Sequence, residues 1–185
     1  IALVGDSVYH EILGERAYRI SADSFFQVNT FQAEVVLKEV REHLAPVAND
    51  VLLDVYCGVG TIGLSMADEV AHTIGVEESA SAVRDARANA GGDQNVTIIE
   101  GAAEHATAQI EDRIDKVVID PPRQGCKPEV IGAVLRLAPQ RIAYVSCDPA
   151  TLARDGKALT KGGYKLQVVQ PIDMFPQTYH IETVS

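Results

Sequence analysis

The sequence predicts an α/β fold in which helices cover both faces of a mainly parallel β-sheet. From about residue 50 onward, short apolar segments typical of buried strands alternate with segments of helical periodicity. Such alternation indicates parallel strands joined by crossover helices. The last two predicted strands are joined without a helix, which predicts one antiparallel strand near the C-terminus. The length of 185 residues is enough for one domain with a sizeable core.

The N-terminal region precedes this alternation. Residues 1–20 alternate apolar and polar side chains on either side of Gly14, which predicts a β-hairpin. Residues 31–44 have the periodicity of an amphipathic helix. The hairpin is too small to be a domain by itself. We therefore predict that residues 1–28 are a hairpin and loop belonging to a central domain, and that residues 29–185 form the main domain.

The alternating region follows in chain order. Strands are predicted at residues 51–56, 72–77, 96–100, 115–120, 141–146, 164–170 and 179–184. Helices are predicted after a glycine-rich turn as far as residue 69, and then at residues 80–90, 103–109, 128–137 and 150–159. Pro128 at the start of one helix and Gly162 after the end of another are typical of helix boundaries.

Composition limits the kind of partner that the chain can bind. A net charge of −10 counts against nucleic-acid binding by this chain alone, because phosphate contacts need Lys and Arg. The objection is weaker if a basic module lies elsewhere in the protein, or if a pocket captures a single base. Three cysteines without paired spacing indicate neither a disulfide framework nor a metal site. They predict a reduced, cytoplasmic setting, and no run of residues is apolar enough to cross a membrane.

A glycine-rich turn lies between the first strand of the alternating region and its helix. Gly58, Gly60 and Gly63 fit the G-x-G-x-x-G pattern, and Glu77 ends the next strand about 20 residues later. This arrangement predicts a ligand with an adenosine moiety, whose ribose hydroxyls the carboxylate would bind. The pattern alone does not separate a dinucleotide from S-adenosylmethionine.

Cys147 directly follows the strand at residues 141–146, at the edge where an open α/β sheet binds its ligands. Asp148 and Pro149 occupy the N-cap and first positions of the next helix. The partial positive charge of a helix N-terminus favours a thiolate. We therefore predict that Cys147 is a nucleophile. Cys57 is interpreted as a packing residue, and no neighbour in the sequence suggests activation of Cys126.

A carboxylate followed by two prolines ends the strand at residues 115–120. Asp120 is placed where a transferred group would lie, at the carboxyl edge of the sheet. Amine methyltransferases have a similar turn with an aromatic residue after the prolines. Arg123 occupies that position here, which argues against an amine substrate.

Five segments together resemble the RNA uracil-5-methyltransferase family, which includes the tRNA and 23S rRNA 5-methyluridine synthases. The resemblance runs from about residue 8 to the end. Its specificity comes from five motifs in the right order, since any one alone would be weak. The motifs are Ser24-Phe-Phe-Gln-Val-Asn29, Asp54-Val-Tyr-Cys-Gly-Val-Gly60, Asp120-Pro-Pro-Arg-Gln-Gly-Cys126, Tyr144-Val-Ser-Cys-Asp-Pro-Ala-Thr-Leu-Ala-Arg-Asp155 and Asp173-Met-Phe-Pro-Gln-Thr-Tyr-His-Ile-Glu-Thr-Val184.

The resemblance implies a Rossmann-like domain that uses S-adenosylmethionine and methylates RNA, with 23S rRNA favoured. It implies a nucleophile at Cys147, a base at Glu182, and no metal in this chain. Family members usually carry an N-terminal RNA-binding β-barrel, and many carry an iron–sulfur cluster on upstream cysteines. Both would lie outside this chain, which is expected to be an excised catalytic domain and a monomer. The implied cofactor contacts are Gln27, Tyr56, Glu77 and Asp120, beside Gly58 and Gly60 of the turn.

This chemistry explains why a cysteine and a base must share one pocket. Carbon 5 of uracil is a poor nucleophile until a thiolate adds to carbon 6 and turns the ring into an enolate. After methylation, a base must remove the proton at carbon 5 so that the thiol can leave. The target base must also leave its stack, which predicts a flipped uridine. Phe25, Phe26, Phe175 and Tyr179 could line the pocket, and Arg154 could bind a phosphate or a uracil carbonyl.

Three alternatives remain at this point. An RNA cytosine-5-methyltransferase also adds a cysteine to carbon 6, but a Pro-Cys pair would be expected where Pro122 and Arg123 stand. An NAD-dependent oxidoreductase would explain the glycine turn, but it gives no reason for the Ser-Cys-Asp-Pro segment. A non-catalytic RNA-binding module is disfavoured by the acidic charge.

Overall fold

The computed structural model describes residues 7–178 and 181–185. Its elements are, in chain order, β1 (Val8–Leu13), β2 (Arg16–Ser21), α1 (Thr30–Leu44), β3 (Val51–Val55), α2 (Thr61–Ser65), a 3₁₀ helix (Ala67–Glu69), β4 (His72–Glu77), α3 (Ala80–Ala90), β5 (Val96–Glu100), α4 (Ala103–Gln109), β6 (Lys116–Ile119), α5 (Pro128–Leu137), β7 (Arg141–Ser146), α6 (Pro149–Lys161), β8 (Gln170–Ile172) and β9 (Glu182–Val184). The elements β1 and β2 form the predicted hairpin around Gly14.

The main sheet has the strand order β5-β4-β3-β6-β7-β9-β8 across the described residues. Strands β3 to β7 pair in parallel, and β9 runs antiparallel to both β7 and β8. The predicted α/β class, the mainly parallel sheet and the antiparallel strand near the C-terminus are therefore confirmed.

One predicted strand is wrong. Residues 164–169 are not a strand, and the strand in this part of the chain is β8, at Gln170–Ile172. A strand needs a hydrogen-bonded neighbour, and on the side away from β7 the described part of β9 pairs only with residues 170–172. The prediction of a strand from residue 179 falls partly on Tyr179 and His180, which lie outside the described residues.

Alternating side chains of the strands build one core on each face of the sheet. Leu53, Val55, Val117 and Ile119 pack with α4, α5 and α6 on one face. Leu52 and Val118 pack with α1 and the region of α2 on the other face. This period of two, with both sides apolar, is what a buried parallel sheet requires.

The hairpin is joined to α3 by a buried carboxylate. Asp85 is fully buried and accepts hydrogen bonds from the Ser21 amide (2.7 Å) and hydroxyl (2.9 Å) and from the Ser24 hydroxyl (2.7 Å). Arg19 also donates to Asp85. These bonds fix the hairpin and the following loop against the main sheet, although the boundary at residue 28 stays a prediction.

The part of the chain that the structure describes holds no helix of the length and apolarity that a membrane span needs.

Candidate active site

The carboxyl edge of the sheet brings the predicted site residues together. Val55 pairs with Val76 on one side and with Ile119 on the other, so the next residues, Tyr56, Glu77 and Asp120, meet at one edge. This is the edge at which open α/β sheets bind ligands.

The glycine turn is shaped to bring backbone close to a ligand. Gly58 donates its amide proton to Oε2 of Glu77 at 2.9 Å, and the other oxygen of Glu77 accepts from the Glu78 and Ser79 amides at 3.0 and 2.8 Å. Gly60 has φ of 92°, and a Cβ there would lie 2.6 Å from Cδ1 of Leu64. Glycine is therefore required at residue 60 by both conformation and space.

Tyr56 opens this turn in a left-handed conformation, with φ of 66°. Such a backbone is costly for an aromatic residue and persists only where the surroundings impose it, often at a functional site. Its half-buried side chain packs against the core on the α4, α5 and α6 face of the sheet. The structure thus places Tyr56 at the predicted edge, directly after β3.

Asp54 is a site residue that the sequence interpretation missed. It is buried in β3, and its Oδ2 accepts a hydrogen bond of 2.7 Å from the Gly63 amide. Its other oxygen is buried without a partner among the described residues. Burial raises the pKa of Asp54 to about 7, and the charge of Glu77 adds to this effect. The signal in the sequence was a carboxylate inside an otherwise apolar strand, directly before the glycine turn.

Asp120 and Gln27 face the same small cavity. Its volume is about 30 Å³, and the loop before α1, the start of α2 and the end of β6 enclose it. The Oε1 atom of Gln27 is buried without a partner among the described residues. Burial raises the pKa of Asp120 to about 8, and the charges of Glu182 and Asp54 raise it further. Two predicted cofactor contacts are therefore adjacent and still have hydrogen-bonding capacity to offer.

Glu182 lies beside Cys147. In the antiparallel ladder, Val145 pairs with Val184 and Ser146 with Thr183. Continued by one residue beyond the ladder, this register sets Cys147 opposite Glu182, and the charge of Glu182 raises the pKa of the Cys147 thiol. Residues directly opposite in such a pair point to the same face, with Cβ atoms about 5 Å apart. Only 4% of Glu182 is exposed, which excludes the ordinary solvated strand carboxylate.

The thiol of Cys147 is not a preformed thiolate. Burial raises its pKa above that of a free cysteine, the charges of Glu182 and Asp120 raise it further, and the charge of Arg123 lowers it. The expectation that the N-terminus of α6 favours the thiolate stays a prediction, and burial and the two carboxylates oppose that effect. The Asp148 carboxylate caps this helix and accepts from the Ala150 and Thr151 amides, at 2.8 and 2.9 Å.

Arg123 is the second residue that the sequence interpretation missed. Its guanidinium lowers the pKa of Cys147, Asp148 and Glu182, so its positive charge lies within electrostatic range of all three. The sequence indicated only that Arg123 departs from the amine-methyltransferase pattern. Its placement beside a cysteine and a carboxylate depends on the fold of the loop between Asp120 and Cys126.

The other two cysteines are buried and protonated. Cys57 is 6% exposed, and burial raises its pKa well above the usual value, which agrees with a packing role. Burial raises the pKa of Cys126 to about 12. Arg154, considered for RNA contacts, instead forms an ion pair with Asp155 and donates to the carbonyls of Gln124 and Cys126.

The candidate aromatic residues have different environments. Phe25 is 73% exposed, whereas Phe26 is buried and lines the small cavity. Phe175 is partly buried against α1 and the sheet. Tyr179 and His180 lie outside the described residues, so their suggested roles stay predictions.

A larger groove, with a volume of about 1130 Å³, lies elsewhere. It runs between α6, β7 and the extended residues 163–169, and it contains none of the predicted site residues. Size alone therefore does not mark the candidate active site, whose identity rests on the convergence of side chains at the carboxyl edge of the sheet.

Comparison with known proteins identifies the family. A family model described as tRNA (Uracil-5-)-methyltransferase matches residues 10–184. This chain belongs to that family. The resemblance drawn from the five motifs is thereby confirmed. The tRNA (uracil-5-)-methyltransferase match includes β9, and so covers both Cys147 and Glu182.

Relatives of the tRNA (uracil-5-)-methyltransferase domain carry similar names. An uncharacterized RNA methyltransferase of Enterococcus faecalis is 42% identical over 190 residues, covering 100% of this chain and 42% of that protein. One of Thermosynechococcus vestitus is 44% identical over 181 residues, covering 96% of this chain and 40% of that protein. The chain therefore spans less than half the length of these relatives.

Solved structures agree with the fold. The tRNA (uracil-54, C5)-methyltransferase of Pyrococcus abyssi, in complex with S-adenosyl-L-homocysteine, superposes with a TM-score of 0.83 at 33% identity, over 97% of this chain and 44% of that one. TYW2 of M. jannaschii, in complex with AdoMet, has a TM-score of 0.67 at 13% identity, over 100% of this chain and 86% of that one, which shows the fold alone. The Rossmann-like methyltransferase fold is thus confirmed.

Proposed function

We propose that this chain is the catalytic domain of an enzyme that transfers a methyl group from S-adenosylmethionine to carbon 5 of a uridine in RNA. The observation that carries the proposal is the buried carboxylate of Glu182, which lies opposite Cys147 when the β7–β9 register is continued by one residue and which raises the pKa of the thiol. A nucleophile and a base at one sheet edge, beside a glycine turn, are the parts that this reaction needs. The family membership supports the same reaction.

The residues at the edge fit S-adenosylmethionine. Asp54 and Gln27 each present a buried oxygen without a partner among the described residues, and Glu77, which accepts from the Gly58 amide, is the proposed ribose contact. The raised pKa values of Asp54 and Asp120 show that the unliganded site favours loss of negative charge. A cationic ligand with a sulfonium and an ammonium group would satisfy these carboxylates. The pyrophosphate of a dinucleotide would instead add negative charge to them.

When bound, S-adenosylmethionine supplies an electrophilic methyl group. The thiol of Cys147 would give its proton to solvent and add to carbon 6, so that a sulfur–carbon bond forms and the ring becomes an enolate. Arg123 supports this step because its charge favours the thiolate. Carbon 5 would then bond to the methyl group as the bond between that group and the sulfonium sulfur breaks, which leaves S-adenosylhomocysteine.

Glu182 completes the cycle. Its carboxylate takes the proton from carbon 5, the double bond between carbons 5 and 6 forms again, and the sulfur–carbon bond breaks to release the thiolate of Cys147. Burial raises the pKa of Glu182, which makes its carboxylate a stronger base than an exposed one. Its position opposite Cys147 lets both groups act on the same edge of one ring.

The RNA substrate must deliver a single base to this edge. The chain carries a net charge of −10, so phosphate contacts would come mainly from parts of the protein outside it. A uridine flipped out of its stack would reach Cys147 without a broad basic surface. We propose 23S rRNA as the favoured substrate, with tRNA the other candidate, and a monomeric, cytoplasmic enzyme.

The test is transfer by the full-length protein. Transcribed 23S rRNA and a tRNA pool are each incubated with isotopically labelled S-adenosylmethionine, and the digested nucleosides are analysed by mass spectrometry. Labelled 5-methyluridine is expected. Labelled 5-methylcytidine would instead support the cytosine-5-methyltransferase alternative, and no labelled nucleoside from either RNA would contradict the proposal.

A further inference from the structure

A buried carboxylate in α6 is hydrogen-bonded to the loop between β6 and α5. Asp155 is 3% exposed, and its Oδ2 accepts hydrogen bonds from the Cys126 amide at 2.8 Å and from the Tyr144 hydroxyl at 2.7 Å. Arg154 adds two bonds to the same carboxylate, from Nε at 2.8 Å and from Nη2 at 3.1 Å. We call Tyr144, Arg154 and Asp155 the loop anchor.

The anchor also holds the loop through its carbonyls. Nη2 of Arg154 donates to the oxygen of Gln124 at 2.9 Å and to that of Cys126 at 3.1 Å. Between them, Gly125 has φ of 71°, and a Cβ there would lie 2.6 Å from Oδ2 of Asp155. The backbone therefore lies directly against the ion pair, with no room for a side chain.

The other end of the loop is fixed as well. The Asp120 amide donates to the oxygen of Val55 at 3.2 Å, which ties the start of the loop to β3. Arg123 lies between these two fixed ends, three residues after Asp120 and three before Cys126. Both ends of the loop that carries Arg123 are therefore held, and the positive charge of Arg123 lies within electrostatic range of Cys147.

We propose that Asp155 is a positioning residue that, with Tyr144 and Arg154, holds the loop so that the Arg123 guanidinium stays beside the Cys147 thiol. This deepens the proposed function and rests on Cys147 being its nucleophile. Stability alone explains the cluster poorly, because the Arg154 side chain is 54% exposed and an ion pair with an exposed partner contributes little to stability. The buried Asp155 carboxylate, with its hydrogen bonds to an amide, a hydroxyl and a guanidinium, is better suited to fixing one loop geometry.

Loss of the Asp155 carboxylate is expected to shift the pH midpoint of Cys147 alkylation in the direction opposite to that produced by its charge alone. Removing the negative charge of Asp155 would, through space, make the Cys147 thiol ionise more readily. Releasing the loop would move Arg123 away and make it ionise less readily. The two explanations therefore predict opposite shifts in the pH at which Cys147 reacts with an alkylating agent.

The experiment measures the rate of Cys147 alkylation by iodoacetamide against pH in the full-length protein, with the modified peptide identified by mass spectrometry. Asp155→Asn and Gly125→Ala are each expected to move the midpoint upward by about one pH unit, which slows alkylation about tenfold below it. Gly125→Ala keeps every charge and provides a second route if Asp155→Asn folds poorly. Asp115→Asn is the matched control.

Asp115 is an equally buried carboxylate at the opposite end of β6. It accepts from the Val51 amide at 3.0 Å and from Nε2 of Gln140 at 3.1 Å. Asp115→Asn should lower the melting temperature of the protein without moving the pH midpoint of Cys147 alkylation. On an Arg123→Gln background, Asp155→Asn should add no further shift, because the positioned charge is already gone.

Several outcomes would overturn the positioning role. They are an unchanged or lowered midpoint in Asp155→Asn, or a full additional shift on the Arg123→Gln background. Alkylation needs neither RNA nor methyl transfer, so these outcomes are independent of the proposed function. That function fails separately if a Cys147→Ala enzyme still methylates uridine.

Discussion

Glu182 stands opposite Cys147 in the continued antiparallel register of β9 and β7. The two residues are 35 positions apart in the chain, and β9 brings them together because it inserts between β7 and β8. An antiparallel strand beside the last parallel one thus adds a carboxylate to an edge otherwise built from strand ends.

Replacing Cys147 by Ala should abolish methyl transfer and leave cofactor binding intact. In the proposed mechanism the thiol adds to carbon 6, whereas the proposed cofactor contacts, the glycine turn and Glu77, lie at the ends of β3 and β4. Calorimetric titration with S-adenosylmethionine and a nucleoside assay on RNA measure the two effects separately. Cys57→Ala, at a buried packing position, is a comparison for the loss of a thiol as such. Full uridine methylation by Cys147→Ala would show that Cys147 is not the nucleophile.

Replacing Glu182 by Gln should let a covalent protein–RNA adduct accumulate. The thiol still adds and carbon 5 still takes the methyl group, but no base removes the proton that must leave before elimination. Turnover should fall by about 10²–10⁴-fold. The adduct is detected as a species of retarded mobility on a denaturing gel. It should be absent from the double variant that carries both Glu182→Gln and Cys147→Ala. Normal turnover in the single variant would rule out the role as base.

The pH dependence of Cys147 alkylation should respond to its two charged neighbours with opposite sign. Glu182 raises the pKa of the thiol and Arg123 lowers it. Glu182→Gln should therefore move the alkylation midpoint to lower pH, and Arg123→Gln should move it to higher pH. Asp173→Asn, which changes one charge on the exposed loop after β8, provides the control. Shifts of the same sign in both variants would contradict the charge arrangement of the site.

The preference for S-adenosylmethionine over S-adenosylhomocysteine should increase with pH. The folded-state pKa of Asp120 is raised from 3.8 to about 8, so near neutral pH the unliganded carboxyl is largely protonated. A sulfonium ion favours its charged form, whereas the thioether of the product carries no charge there. Titrations between about pH 6 and 8 should show the affinity ratio rising, with proton release on binding. In Asp120→Asn the ratio should be flat, and a rising ratio in that variant would locate the titrating group elsewhere.

The same raised pKa predicts the direction of stability without ligand. Because the Asp120 carboxyl holds its proton more tightly in the folded protein than in the unfolded chain, its contribution to the free energy of unfolding should fall as pH rises from 3.8 to about 8. Urea unfolding at several pH values measures this slope. Asp120→Asn should make the free energy of unfolding depend less steeply on pH. Asp85→Asn removes a carboxylate that accepts several hydrogen bonds, so it should lower the free energy of unfolding without making its pH dependence less steep.

Most of the fold could be predicted because its elements carry local signals. The bounds of α3, α4 and α5, and of β4, β5 and β7, agree with the predicted segments, since each has a clear period and a cap or turn at its ends. The strand predicted at residues 164–169 does not form. Their side chains do alternate, but none of the described strands lies beside them to share hydrogen bonds. A β-strand requires hydrogen bonds to a neighbouring strand, and the sequence of one segment does not reveal which segment will lie beside it.

The site was less completely predictable, because charges act across elements. The cysteine and the glycine turn each have a local motif, and Glu182 came from the family motif near the C-terminus. Asp54 stands out in the sequence only as a carboxylate in an apolar strand, and Arg123 only as a departure from a motif. In the tertiary structure, Asp54 is buried under the turn and the charge of Arg123 lies within electrostatic range of the thiol. The helix cap beside Cys147 could be predicted from the sequence, whereas burial of the thiol and the two carboxylates that oppose its ionisation could not.

Replacing Gly60 by Ala should weaken binding of S-adenosylmethionine by at least about tenfold. The added Cβ would lie 2.6 Å from Leu64 in a backbone with φ of 92°, so the turn must change shape and its amides must move. Gly132→Ala is the matched control, because Gly132 lies in α5 with nothing within 4 Å of an added Cβ. That variant should bind normally and gain about 0.5–1 kcal/mol of stability. Equal affinity in Gly60→Ala and the control would show that the turn does not bind the cofactor.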